Sequence, residues 1–194
     1  MKEQIRRSLI FLGILTVITG IIYPLAVTLI AQVAFNHQAN GSLLGKEGNY
    51  LGSELIGQQF DQPGYFWGRP SATQPMPYNA AASSGSNYAP SNPDLMAAIK
   101  KRVDALKAAD PGNKQPIPVD LVTNSGSGLD PHISLAAALY QVPRVARERH
   151  LDSNALTQTV NRFTQGRQFG ILGEERVNVL ELNLALDGLY RQQQ

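Results

Sequence analysis

The pattern of apolar and polar positions divides the chain near residue 36. Residues 8–45 contain no Asp, Glu, Lys or Arg. Within them LIFLGILTVITGIIYPLAVTLIAQVAF, residues 9–35, shows no polar face. A hydrocarbon core takes roughly 20 apolar residues in a helix, so this run of 27 crosses it with some tilt. A secretory apolar region is shorter, about 7–15 residues, and ends in a small-residue cleavage site. Ala31, Gln32, Val33 and Ala34 fit such a site poorly. A buried core helix is the alternative, but in a domain this small such a helix would keep a polar face. Gly20 and Pro24 lie inside the run, where a membrane helix tolerates them with a kink. Gly13, Thr16, Thr19, Gly20 and Thr28 offer small surfaces against which another helix could pack.

Beyond residue 36 the pattern turns mixed. NHQANGSLLG, residues 36–45, reads as a turn-rich exit from the membrane, and LGSELIGQQF, residues 51–60, as a short strand or turn of helix. Asn92 caps a predicted helix, with Pro93 at its first position and Asp94 at the positive end of its dipole. Leu95, Ile99, Val103 and Leu106 recur at helical spacing up to about Ala109, with Lys100, Lys101 and Arg102 on a solvated face. QPIPVDLVT, residues 115–123, reads as a strand. Ser134 caps a helix over SLAAALYQ, and Pro143 begins another piece, PRVARERHL, with Arg144 and Arg147 on one face. NALTQTVNRFTQ, residues 154–165, is helical, GRQFGILG, residues 166–173, is a connector, and VNVLELNLALDGLYRQ, residues 177–192, is a final helix. The expected architecture is a single N-terminal transmembrane helix followed by an α+β soluble domain. Its parts are a cytoplasmic N-terminus (1–8), the transmembrane helix (9–35) and an extracytoplasmic domain (36–194).

Charge supplies the orientation. Lys2, Arg6 and Arg7 precede the apolar run and no Lys or Arg follows before Lys46. Positive flanks stay in the cytoplasm, which puts everything after the helix on the outer face. Seventeen basic residues less those three leave 14, and 15 acidic residues less Glu3 also leave 14. The outer part is therefore neutral, and the basic balance gives no reason to expect nucleic acid. The chain has no cysteine, which removes disulfides and thiolate metal sites. His37, His132 and His150 lack ligand spacing, so no metal site is expected.

Residues 61–93, DQPGYFWGRPSATQPMPYNAAASSGSNYAPSNP, break both periods. Gly, Pro, Ser and Asn make up 17 of these 33 positions, a composition typical of disorder. Yet Tyr65, Phe66, Trp67, Tyr78 and Tyr88 also lie here, and such side chains bury large apolar areas. The segment is expected to be an ordered loop packed on its own domain or on a partner. Phe66 and Trp67 could equally plug the domain's core. Partner-interface candidates are Tyr65, Phe66, Trp67, Arg69, Tyr78 and Tyr88. Arg69 serves either as a partner anchor or as a donor to a loop carbonyl of its own domain.

NSGSGLDPHIS, residues 124–134, has a glycine-rich turn but neither the Gly-Lys-Ser/Thr ending nor the spacing of a phosphate loop. Ser127, Asp130 and His132 are triad residue types without the glycine pattern of a nucleophile elbow. Turn chemistry and helix capping account for them, and no catalytic residue is assigned. A membrane-anchored outer hydrolase and a small-ligand-binding module stand as alternative readings.

Four blocks carry a resemblance. They are FWGRPSATQPMPYNAAASSGSNYAPSNPDL (66–95), VTNSGSGLDPHIS (122–134), YQVPRVARER (140–149) and FGILGEERVNVLELNLALD (169–187), in this order behind one membrane helix. Together they closely resemble the C subunit of the Kdp-type potassium-transporting ATPase of bacteria. The resemblance implies a non-catalytic accessory subunit of an ATP-driven, high-affinity potassium uptake complex in the bacterial inner membrane. Its implied partners are a channel-like potassium-binding subunit, a P-type ATPase subunit and a small membrane peptide. It also implies a catalytic chaperone that raises the pump subunit's affinity for ATP, with Gln141 as candidate nucleotide contact. The charge bias opposes that contact, because it places Gln141 outside the cell, away from ATP. A direct nucleotide contact would need the inverted topology, so the charge bias is followed, and the expectation is an outer domain capping the entrance of the channel-like subunit through residues 65–88.

Overall fold

The computed structural model describes residues 1–46 and 48–188. The chain forms two compact units, residues 1–43 and 44–194.

The first unit is a continuous helix, Lys2–Ala34, made of α1 (Lys2–Val17), a π-helical turn (Ile18–Ile22) and α2 (Tyr23–Ala34). A short helix, α3 (Asn36–Ala39), follows at the exit. No residue of α1 or α2 is buried by the chain itself, as expected of a helix whose apolar surface faces lipid or other helices. Pro24 lacks an N–H and crowds the carbonyl four residues before it, and the widened turn just upstream accommodates both. Thr19 adds to the distortion by donating its hydroxyl back to the Leu15 carbonyl at 2.8 Å.

In the second unit a two-stranded ribbon, β1 (Leu43–Lys46) and β2 (Asn49–Ser53), comes first. The unit then holds α4 (Pro93–Ala109), β3 (His132–Ser134), α5 (Leu135–Arg149), α6 (Ser153–Arg162), β4 (Thr164–Gln165), β5 (Arg176–Asn178) and α7 (Val179–Leu186). The three short strands form an antiparallel sheet in the order β3-β5-β4, pairing Ile133 with Val177 and Thr164 with Val177. This is the expected α+β arrangement, although these strands are too short to leave a period in the sequence.

Helix α5 is the axis of the core. Ser134 caps it through the Ala137 N–H at 3.0 Å, and Ala137, Ala138, Val142, Val145 and Ala146 are buried. They meet Leu156 and Val160 of α6, Ile133 and Val177 of the sheet, and Val179 and Leu182 of α7. Helix α7 is buried on nearly all sides because its other face, Leu180 and Leu184, packs under Leu44. Asn178 starts it, accepting from the N–H groups of Leu180 and Glu181.

Several sequence expectations change. Residues 135–149 form one helix, and Pro143 lies within it. Pro143 and Leu139 are both on the exposed side, so the carbonyl left without a donor faces water. The strand expected over 115–123 is instead a 3-10 turn, Val119–Leu121. Pro116 and Pro118 cannot donate to a ladder, Leu121 plugs the core, and Asp120 accepts from the Ser134 N–H at 2.7 Å. The final helix begins at Val179, since Val177 and Asn178 belong to β5, and the expected extension beyond residue 188 lies outside the described residues.

The glycine-rich turn is a seat for the aromatic loop. Ser71 donates to the Gly128 carbonyl at 2.7 Å, and the Ser84 N–H and Ser83 hydroxyl both reach the Ser127 carbonyl. Gly128 has φ +69°, and a Cβ there would come within 2.6 Å of the Ser84 carbonyl oxygen. Gly128→Val is therefore expected to destabilise the second unit by about 2–3 kcal/mol. Denaturant unfolding of the full chain in detergent, followed through the buried Trp67, measures this.

Candidate functional site

Residues 62–69 run without strand or helix partners, and side chains supply their hydrogen bonds. The Gln62 carbonyl accepts from Trp67 Nε1 (3.0 Å), Pro63 from Arg144, Gly64 from Arg149 Nε (2.5 Å) and Tyr65 from Arg144 Nη1 (3.0 Å). Phe66 accepts from Asn183 Nδ2 (2.9 Å), Trp67 from Gln141 Nε2 (3.1 Å), Gly68 from Arg102 Nη2 (2.9 Å) and Arg69 from the Tyr78 hydroxyl (2.6 Å). Eight consecutive carbonyls are thus held by side chains, most of them from α4, α5 and α7.

Two amides imitate a β-ladder. Asn183 also accepts from the Phe66 N–H at 2.9 Å, and Gln141 accepts from the Trp67 N–H at 2.8 Å. Each carboxamide therefore closes a two-bond ring with one residue of the loop, as a neighbouring strand would. The Gln141 oxygen takes a further bond from Arg144 Nη2 at 2.6 Å. Gln141, Arg144 and Asn183 are almost wholly buried. Buried polar groups are tolerated when bonded in this way.

Two guanidinium groups lie over the Trp67 ring, Arg144 at 4.6 Å and Arg102 at 5.0 Å from its centroid. Burial pulls Arg144 down to about 10, against the opposing pull of Asp110, so it stays charged at neutral pH. Burial also lowers Arg102. The negative faces of the indole offset part of the cost of burying two cations.

The candidate residues part company here. Phe66 is fully buried and Trp67 nearly so, which makes them core plugs and removes their side chains from any partner-facing surface. Tyr65 is half-buried, stacked on Phe60 beneath Arg149, with its hydroxyl on Asp187 at 3.0 Å. Arg69 pairs with Asp130 at 3.3 Å and donates to the Asn124 carbonyl at 3.1 Å, the intradomain role. Tyr78 is half-buried, and Tyr88 remains 40% exposed. Gln141 is 1% exposed and its carboxamide is spent on Trp67, Ala137 and Arg144. No face of it is open to a nucleotide in this arrangement.

Ser127 accepts from the Leu129 N–H, and no hydrogen bond joins it to His132 among the described residues. Asp130 accepts from the His132 N–H at 3.0 Å, with His132 Nδ1 at 3.5 Å. Burial pushes the Asp130 carboxyl up, but the His132 hydrogen bonds and charge, with Arg69, hold it below its usual range. This pair braces the turn that seats the loop.

Asn183, Arg144, Arg149 and Arg102 escaped the sequence reading. Asn183 and Gln141 did leave a trace, as single amides set among the apolar residues of their helices. An amide on a buried helical stripe needs a partner, and exposed backbone is the commonest one. Arg144 and Arg102 left none, because each sits in a run of charges that reads as solvated.

Comparison with known proteins supplies the family. The model of the K+-transporting ATPase c chain, KdpC, matches residues 5–188. A potassium-transporting ATPase KdpC subunit from Methylococcus capsulatus is 62% identical over 189 residues, covering 97% of this chain and all of the relative. The corresponding proteins of Herpetosiphon aurantiacus and Paraburkholderia phytofirmans are 62% and 59% identical, each over 96% of this chain and 97% of the relative.

Two outcomes follow from the site. Gln141→Ala leaves the Trp67 N–H and carbonyl buried without partners, so it is expected to destabilise the full chain by about 2–4 kcal/mol with no nucleotide present. Unchanged unfolding, with only ATP affinity of the complex altered, would instead make Gln141 a ligand contact. The Tyr78 hydroxyl is pushed up to about 12 by burial, partly countered by Arg102. Folding favours its neutral form, so this stabilisation is whole below the unfolded value of 10.0 and lost as pH rises through about 12. The loss is roughly 2–3 kcal/mol. Tyr78→Phe should remove that alkaline slope in unfolding curves, while weakening the fold at neutral pH by about 1 kcal/mol.

Proposed function

As the chain belongs to the KdpC family of potassium-transporting ATPase subunits, we propose that it is a non-catalytic accessory subunit needed to assemble an ATP-driven, high-affinity potassium uptake complex. The observation that carries this reading is the pairing, in one chain, of a single membrane helix with a domain that consumes its own reactive side chains. A lone helix encloses no pore, and residues 9–35 hold no charge that could guide an ion. In the domain, Ser127 serves a turn and Gln141 serves Trp67, so the hydrolase alternative draws no support from them.

The proposed partners are the channel-like potassium-binding subunit, the P-type ATPase subunit and the small membrane peptide of the same complex. The N-terminus lies in the cytoplasm and the domain outside the bacterial inner membrane, on the strength of Lys2, Arg6 and Arg7. There the domain caps the entrance of the channel-like subunit through exposed parts of the loop such as Tyr88. Phe66 and Trp67 act indirectly, by fixing the shape of that loop. Any rise in the pump subunit's affinity for ATP is then transmitted through assembly, with no ATP bound by this chain.

Orientation decides between these routes. Met96 is 63% exposed on α4, and the chain has no cysteine of its own. Met96→Cys in the intact complex is expected to react with an impermeant thiol reagent on whole cells. Reaction only after permeabilisation would put the domain in the cytoplasm and restore direct nucleotide contact.

A further inference from the structure

A cleft of about 590 Å³ opens between residues 68–88 and α4. Its walls hold three basic side chains, Arg69, Lys101 and Arg102, and no Asp or Glu. In an outer part with 14 residues of each sign, that is a local excess of positive charge. Arg69 is already paired with Asp130, which lies outside the cleft lining. The other two are not. Arg102 donates Nε to the Leu121 carbonyl at 3.0 Å and Nη2 to Gly68, both neutral acceptors. Lys101 is exposed and makes no ion pair or hydrogen bond among the described residues. Asp61 is the remaining carboxylate whose charge acts on Arg102, and its Oδ1 accepts from Gln59 Nε2 at 2.6 Å.

A largely buried cation without a counter-ion is costly and gains from an incoming carboxylate. The rest of the lining suits a peptide. Gln58, Gln59 and Asn124 can meet backbone N–H and carbonyl groups, while Tyr88 and Phe60 supply apolar contact at an open, accessible rim. Aromatic and Arg groups set around one depression are the usual composition of a binding hot spot.

The geometry points to this cleft as the docking site for an acidic, extended segment of a neighbouring subunit, its carboxylate seated between Lys101 and Arg102. The inference rests on the accessory-subunit reading and names the chemistry of the contact. An acidic peptide is favoured over a free anion because the cleft is lined by amides and aromatic rings as well as by charge.

The test uses the intact complex in cells. A photo-crosslinking benzoylphenylalanine at Tyr88 is activated in membranes, and the crosslinked peptide is sequenced. Attachment to a segment of another subunit that contains Asp or Glu is expected. Lys101→Glu should lower recovery of the chain with the complex by about tenfold at low salt, with the difference shrinking as salt rises. Reversing the identified acidic residue to Lys should restore recovery. Crosslinking to lipid, to a segment without acid, or to nothing would overturn the inference, as would recovery indifferent to Lys101→Glu. Failure of the unmodified chain to copurify with any transporter subunit would overturn the accessory-subunit reading itself, a separate outcome.

Discussion

Everything in the second unit depends on how the backbone of residues 62–69 is satisfied. The middle of this segment, residues 66–68, enters the core and so must lose its water, yet the segment has no strand beside it. Buried carbonyls left unbonded would each cost about 1–3 kcal/mol. The chain meets the requirement with long side chains drawn from three helices. Arg102 comes from α4, Gln141, Arg144 and Arg149 from α5, and Asn183 from α7. The loop therefore ties together three helices, one of them more than a hundred residues from the loop in sequence, and the helices depend on the loop to occupy their buried polar groups. Polar complementarity holds this half of the core as surely as apolar packing holds the other.

The same constraint explains why an apparently disordered composition is ordered. Gly64, Gly68 and the prolines keep the segment free of helix and strand, and Phe66 and Trp67 drive it inward. Glycine at 68 is needed for room, since a Cβ there would meet the Tyr78 hydroxyl at 2.6 Å. Trp67 then does two jobs, filling volume and presenting its ring to two cations whose hydrogen bonds go to neutral acceptors.

Sequence periodicity disclosed the membrane helix and α4 because each has a single dominant face and an environment that does not change along its length. It disclosed the aromatic loop through composition, since five aromatics cannot all remain in water. It did not disclose β3, β4 or β5, whose two or three residues are too few for alternation. It split α5 at Pro143, because the rule that proline ends helices assumes a buried carbonyl four residues back. It separated the site from its supports as well. The loop's aromatics were legible as recognition candidates, but the side chains that determine which of them reach the surface came from α5 and α7. Pairings at separations of 74 to 122 residues leave no local trace.

The π turn at Ile18–Ile22 alters what the membrane helix can present to its surroundings. A turn of that kind holds one residue more than an α-helical turn, and successive residues are about 100° apart around the axis. The stripes before and after it are consequently out of phase by roughly a quarter of the circumference. Gly13 and Thr16 lie on one side of the offset and Thr28 on the other. With that offset all three fall within roughly 60° of one another around the axis and line a single groove. In an unbroken α-helix Thr28 would stand about 120° from Thr16, so the π turn gathers the small residues of both halves on one side, where one neighbouring helix can follow them along the whole length.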